Sequence, residues 1–336
     1  MNILITGVAG LIGSRFAEYV IDNKPDHNVI GIDDLSGGYE SNIPEGVTFY
    51  KLDLMEYDKV DEIFEKHKIN VIYHFAAYAA EGLSPFIRKF NYNNNLLCSV
   101  HLINCAIKYG IDRFVFTSSM AVYGGDEAPP FTETSPCVPH DPYGCAKLCV
   151  EHDLYAAQQI PEHSSSLKSW SIIRPHNVIG RNQNIWDCYR NVAGIFVYQL
   201  LNDMDITVMG TGLNSRAFSF MDDLLEPLYK AGFDERAKNQ IINLGGKVEY
   251  TINDVAETLV KIAGKGNIVH VEERHEVKHA YCSYEKSEKL LDYESSTDLE
   301  GMIRDLYEWA KTQPKRERVM WDKYELDKGM YSFWKK

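Results

Sequence analysis

An α/β fold built on a doubly wound parallel sheet is predicted by three observations. The chain opens on a short apolar run, Asn2-Ile3-Leu4-Ile5-Thr6, that breaks into Gly7, Gly10 and Gly13 and then takes up helical spacing. A second apolar run, Asn28-Val29-Ile30-Gly31-Ile32, ends in Asp33 and Asp34, twenty residues after Gly13. Strand-length apolar runs then keep alternating with helical patterns, an order that calls for a parallel sheet with helices on both faces.

The first turn carries the most chemistry. Gly7 supplies a backbone angle closed to other residues, Gly10 leaves room for a pyrophosphate against the main chain, and Gly13 lets the helix pack closely on the strand. Amides at the helix start then face the phosphates. Asp33 stands where a second strand presents a carboxylate to an adenosine ribose, which argues for NAD over NADP, whose extra phosphate it would repel. This is the pattern of a Rossmann-type nucleotide site.

Ser36-Gly37-Gly38 and the stretch 42–46 lead to a strand at 47–50, after which Asp53 and Leu54 are placed to read the adenine edge and pack on its face. A helix is predicted over 58–67, a strand over 70–75, a helical stretch over 91–106 and a strand over 113–117. Ser118-Ser119-Met120 leaves the carboxyl edge of the sheet, where doubly wound folds place their ligands. A loop rich in proline and acid over 125–142 precedes a helix that starts at Tyr143 and carries Lys147 on the same face. After a strand at 170–174, Pro175 and Gly180 mark a less regular half. There 187–202 reads as broadly helical, 206–209 as a strand, 221–231 as a helix, 240–245 as a strand, 252–262 as a helix capped by Thr251, and 299–309 as the last large helix. Residues 1–176, with later contributions from 217–245, are read as the dinucleotide-binding domain. Residues 177–216 and 246–336 are read mainly as a smaller C-terminal α/β substrate-binding domain and tail, with Trp321, Tyr324, Tyr331 and Trp334 clasping the protein surface or a sister subunit.

Composition narrows the partners. The formal charge is −13, from 48 acidic against 35 basic residues, with no long basic block, so nucleic acid and anionic membrane are not expected. The seven cysteines include no CxxC pair; Cys145 and Cys149 are four apart, but two ligands do not make a zinc site, and no metal is expected. No targeting stretch or membrane-length run is seen, and a cytoplasmic protein is expected.

Ser119, Tyr143 and Lys147 form a coherent set: a tyrosine to move a proton, a lysine to lower its pKa and hold ribose hydroxyls, and a serine to hydrogen-bond the reacting oxygen. With these residues in place the chain resembles the extended short-chain dehydrogenase/reductases, particularly the NAD-dependent nucleotide-sugar 4-epimerases of the UDP-glucose/UDP-galactose type. The matching positions are Gly7, Gly10, Gly13, Asp33, Asp53-Leu54, His74-Phe75-Ala76-Ala77, Asn95, Thr117-Ser118-Ser119, Tyr143 and Lys147. The resemblance implies a tightly held NAD with Asn95 as structural support, a UDP-sugar substrate and a homodimer. It also implies substrate-diphosphate contacts from Asn177, Arg216 and Arg274, and a sugar-pocket position at Ala280 whose small side chain leaves room for an N-acetyl group. Two departures stand out. Met120 and Ala121 replace the acids that dehydratases of the family carry after the serine, and Ala79 stands where these epimerases commonly have lysine. Reversible C4 epimerisation is therefore expected, of UDP-N-acetylglucosamine/UDP-N-acetylgalactosamine and also of the glucose pair. A UDP-glucuronate epimerase or decarboxylase and a catalytically silent dinucleotide-binding regulator are the alternatives.

Overall fold

A computed structural model describes residues 1–125, 127–273 and 277–334. Its central sheet contains seven parallel strands: β1 (Asn2–Thr6), β2 (Asn28–Asp33), β3 (Thr48–Lys51), β4 (Val71–His74), β5 (Arg113–Thr117), β6 (Trp170–Pro175) and β7 (Gln240–Leu244). Their order across the sheet is β7-β6-β5-β4-β1-β2-β3. The chain reverses direction across the sheet between β1 and β4, so the helix-starting loops after these strands part and leave a crevice at the carboxyl edge.

Helices cover both faces because the strands are apolar on both. On one face α1 (Leu11–Asn23) contributes Phe16, Ala17 and Val20 to a core that also holds Ile3, Ile5, Val115 and Ile242. On the other, α2 (Tyr57–His67), α3 (Cys98–Tyr109) and α4 (Pro142–Gln159) pack Val60, Phe64, Leu102, Val150 and Leu154 against Leu4, Ile72 and Phe116. Asp141 caps α4 by accepting from the Gly144 amide at 2.9 Å, and Pro142 stands at its start, where a missing amide costs nothing.

A third core joins the helices Val192–Leu201, Ile252–Ala263 and Leu299–Lys311 around Phe196, Val255, Ile303 and Leu306. Thr251 and Asp254 form a reciprocal capping box at the start of the second of these. Among the described residues no helix is long and apolar enough to cross a membrane.

Three expectations need revision. The stretch 187–191 is a turn rather than helix: Asn191 caps the helix at Val192, and Asp187 accepts from the Tyr189 amide at 2.9 Å. Residues 285–293, assigned to the substrate part, return to the nucleotide half, where Leu291 and Tyr293 are buried in the α1-side core beside α5 (Met221–Phe233). The helical stretch around Asn95 is not uniform but contains a π-helical turn at Asn93–Leu97. The C-terminal aromatics lie on the chain's own surface: Trp321 packs edge-on against Phe90 with ring centres 4.6 Å apart, and Trp334 packs in the same way on Phe86 at 6.0 Å.

Candidate active site

The glycine turn fits a dinucleotide. A Cβ on Gly13 would stand 2.1 Å from the Gly7 carbonyl oxygen, so helix and turn touch main chain to main chain, and Gly7 takes φ +72°. A Cβ on Gly10 would meet only the Gly7 oxygen, at 3.4 Å, leaving its outer side open to the crevice. No side chain caps the amino end of α1, so its first amides are available to an anion. Asp33 stands at the end of β2 beside this turn: its carboxylate accepts from Ala9 N at 2.9 Å and Leu35 N at 2.8 Å. Burial pushes its pKa up, and the same two amides oppose that shift. Each oxygen keeps a second lone pair for a ribose hydroxyl. Asp53 and Leu54 line the same cavity, of about 850 Å³, at the β3 end.

At the other end, Ser119, Tyr143 and Lys147 come together on the cavity wall. The Ser119 hydroxyl accepts from the Ala121 amide at 3.1 Å and stands on the same cavity wall as Tyr143. Lys147 is 2% exposed; its ammonium donates to the Thr117 carbonyl at 2.8 Å and lies 5.8 Å from the Tyr143 ring centre. Burial lowers the Lys147 pKa to about 8. Tyr143 shows the opposite displacement: burial raises it well above the phenol range, Glu81 and Asp141 add to the rise, and Ser119 and Arg190 oppose it. The sequence assigns the lowering of this phenol to Lys147, whose ammonium lies near the ring, and Arg190 adds a second positive charge that opposes the rise.

The remaining predicted residues divide. Asn95, in the π-helical turn, accepts from Tyr78 N at 2.9 Å and donates to Tyr78 O at 3.2 Å, clamping the loop that carries Tyr78 and Ala79. Asn177, at φ +23°, and Arg216 both line the cavity beyond Ser119, and Arg216 Nη1 donates to Ser215 O at 2.7 Å. Arg274 lies outside the described residues. Ala280 is 8% exposed and paired in register with the cavity residue Arg216 in a short strand, and Val277 lines the cavity at that edge.

The NAD dependent epimerase/dehydratase family model matches residues 3–245. The chain belongs to this family. It is 28% identical to a UDP-glucose 4-epimerase of Caenorhabditis elegans, with 94% of this chain and 99% of the other covered. Among solved structures it resembles the UDP-glucose 4-epimerase of Thermotoga maritima crystallised with UDP-glucose, at a TM-score of 0.85 and 28% identity over 93% of this chain and 99% of that one. It also resembles the UDP-glucuronic acid 4-epimerase of Bacillus cereus in complex with UDP-glucuronic acid and NAD, at 0.83 and 25% over the same shares.

Against this family frame, sequence reading missed Arg190. Its Nε donates to the Asp187 carboxylate at 3.0 Å and its guanidinium lies 4.5 Å from the Tyr78 ring centre. Its Nη2 comes so close to the loop after β2 that a Cβ on Gly37 would stand 2.6 Å away. Its charge reaches Asp33 at one end of the crevice and Tyr143 at the other. The available signal was Asp187 three residues before Arg190 beside a capping Asn191, which marks a turn and not a helix.

Asp141 makes the site's acid balance measurable. Burial and the neighbouring Glu81 carboxylate push its pKa up from 3.8 to about 7. A carboxyl raised on folding binds its proton more tightly in the native state, so it subtracts nothing at low pH and progressively destabilises the fold as pH rises towards 7. Asp141→Asn keeps the helix cap and removes the charge. The stability difference between pH about 4 and about 7, followed by urea denaturation, is predicted to shrink in this variant; an unchanged difference would show that Asp141 ionises normally.

Proposed function

We propose that the chain interconverts the C4 epimers of a UDP-sugar through a 4-keto intermediate, with NAD as a recycled hydride carrier. The observation that carries this reading is one continuous cavity, with a dinucleotide cradle at one end, the Ser119–Tyr143–Lys147 cluster in the middle and Asn177 and Arg216 beyond. Bound NAD supplies the hydride acceptor for C4 and then the donor. Tyr143 takes the C4 hydroxyl proton and later returns it, while Ser119 holds that oxygen in line. Lys147, anchored on Thr117, is placed to orient a ribose and to bring its charge towards the phenol once a cofactor draws it from the carbonyl. Asn177 and the Arg216 guanidinium hold the diphosphate, so that the sugar can turn about a fixed tether. Met120 and Ala121 offer no acid to expel a hydroxyl, which disfavours dehydration.

The sugar in this reading is neutral. Glu81 acts on Tyr143 as a negative charge, joined by Asp141 as pH rises through about 7, and a carboxylate at C6 of a uronate would enter that field at a cost. Ala280, small and paired in register with the cavity residue Arg216, keeps the N-acetylhexosamine pair within this reading beside the hexose pair. Arg190 fits the cofactor half: it crosses the crevice from the substrate part to Gly37, opposite the glycine turn, where the pyrophosphate of NAD passes. It thereby supplies a cation near Ala79, where relatives use lysine.

Chromatography of products from UDP-glucose, UDP-N-acetylglucosamine and UDP-glucuronate tests the activity. A neutral pair is predicted to turn over with kcat/KM at least about tenfold above the uronate, and Tyr143→Phe to lose roughly a hundredfold or more in kcat with NAD content unchanged. Preferred turnover of the uronate defeats the charge argument, and near-normal turnover in Tyr143→Phe removes that residue from the mechanism.

For Arg190→Gln the readout is NAD released on denaturing the purified protein. Lower occupancy and faster NAD loss are predicted, with the KM for the UDP-sugar little changed. Full occupancy with a raised KM would move Arg190 to the sugar-nucleotide diphosphate.

A further inference from the structure

A second cluster of chemical groups lies outside the cavity, on the outer side of α2 and α3. Asp61 comes from α2, and His101 and Cys105 are four apart on α3, so both project from one helix face. The Cys105 Sγ lies 3.2 Å from Asp61 Oδ1 and 3.5 Å from His101 Nε2, and the three donor atoms all fall within 4.8 Å of one another. With metal–sulfur and metal–nitrogen bonds of roughly 2.3 and 2.1 Å, a tetrahedral zinc site separates its sulfur and nitrogen ligands by about 3.6 Å. The spacing found here is therefore that of one edge of such a tetrahedron.

We propose that Asp61, His101 and Cys105 bind a borderline divalent cation of the zinc class, with water in the fourth position. Sulfur, imidazole and a single carboxylate suit zinc or cobalt better than magnesium or calcium, which require oxygen shells.

The surroundings orient the ligands. The His101 ring turns Nε2 towards Cys105, 3.5 Å from Sγ. The Tyr57 and His101 rings pack with centres 4.4 Å apart and fix the ring plane. Lys108 donates to the outer carboxylate oxygen, Oδ2, at 2.9 Å and leaves Oδ1 facing the thiol. Its ammonium opposes a cation, but the side chain is 55% exposed and largely screened by solvent. Asp61 and His101 are partly exposed and provide the entry path, while Cys105 closes the inner side. On binding, the Cys105 S–H bond breaks, its proton passes to solvent and the thiolate takes the metal; no oxidant or reductant is needed. The metal would staple α3 to α2, the helix that follows the cavity residues Asp53 and Leu54 in the chain.

The test uses the full-length, NAD-loaded protein after dialysis against a chelator, titrated with cobalt(II). The predicted result is a saturable 1:1 thiolate-to-cobalt charge-transfer band with tetrahedral visible bands, displaced by one equivalent of zinc. Cys105→Ser should abolish the charge-transfer band, and His101→Gln should weaken binding by more than about tenfold. Cys149→Ser, which alters an exposed thiol elsewhere, should leave both intact. Lack of a saturable band, or an unchanged band in Cys105→Ser, overturns the proposal. Should Cys105→Ser not fold, Asp61→Asn decides: wild-type affinity there overturns the site, and a loss supports it.

Discussion

The contact between Gly13 and Gly7 is the constraint from which the nucleotide half follows. With a Cβ 2.1 Å from a carbonyl oxygen, no other residue at position 13 lets α1 start so close to β1. That closeness brings the uncapped first amides of α1 to the crevice, where the helix dipole and unpaired N–H groups favour an anion. It also sets Ala9 where its amide meets Asp33 across the β1–β2 pairing, so the phosphate end and the ribose end are fixed by one piece of backbone.

The Ser119–Tyr143–Lys147 end is fixed by a different device, a buried ionic network under the loop after β5. Arg174 on β6 donates to both oxygens of Glu151 on α4, at 2.9 and 2.5 Å, and Glu151 also accepts from the Ser118 hydroxyl. Arg174 Nη1 reaches the Tyr123 hydroxyl at 2.8 Å, which in turn donates to Asn243 on β7. Breaking such a pair from one side leaves an uncompensated buried charge, at a cost of about 3–5 kcal/mol. The network locks β5, β6, β7 and α4 together and so sets the separation of Ser119, which follows Ser118, from Tyr143 and Lys147, which precede Glu151 on α4. Neither Glu151 nor Arg174 needs to touch a substrate for the site to depend on them.

The nucleotide half was legible because its signals are local. Three glycines, an acid at a fixed offset and alternating apolar periods each report on a few neighbouring residues, and the strand at 113–117 and the turn at Gly7 fall where those signals put them. The second half was less legible because its contacts join distant segments. Arg190 draws its meaning from Tyr78 and Gly37, more than a hundred residues away. Leu291 and Tyr293 belong to the first core by packing and not by chain position. The pairing of Ala280 with Arg216 joins segments 64 residues apart in the chain. Asp61 and Cys105 meet only because α2 and α3 lie side by side on the same face of the sheet.

The central claim is that hydride leaves C4 and returns to the same carbon within one binding event, with no net oxidation. A UDP-sugar deuterated at C4 tests this directly when the product epimer is analysed by mass spectrometry and NMR. Full retention of deuterium at C4, with no NADH released in proportion to product, is the predicted result. Loss of the label to solvent, or a dehydrated or decarboxylated sugar as the main product, would contradict it.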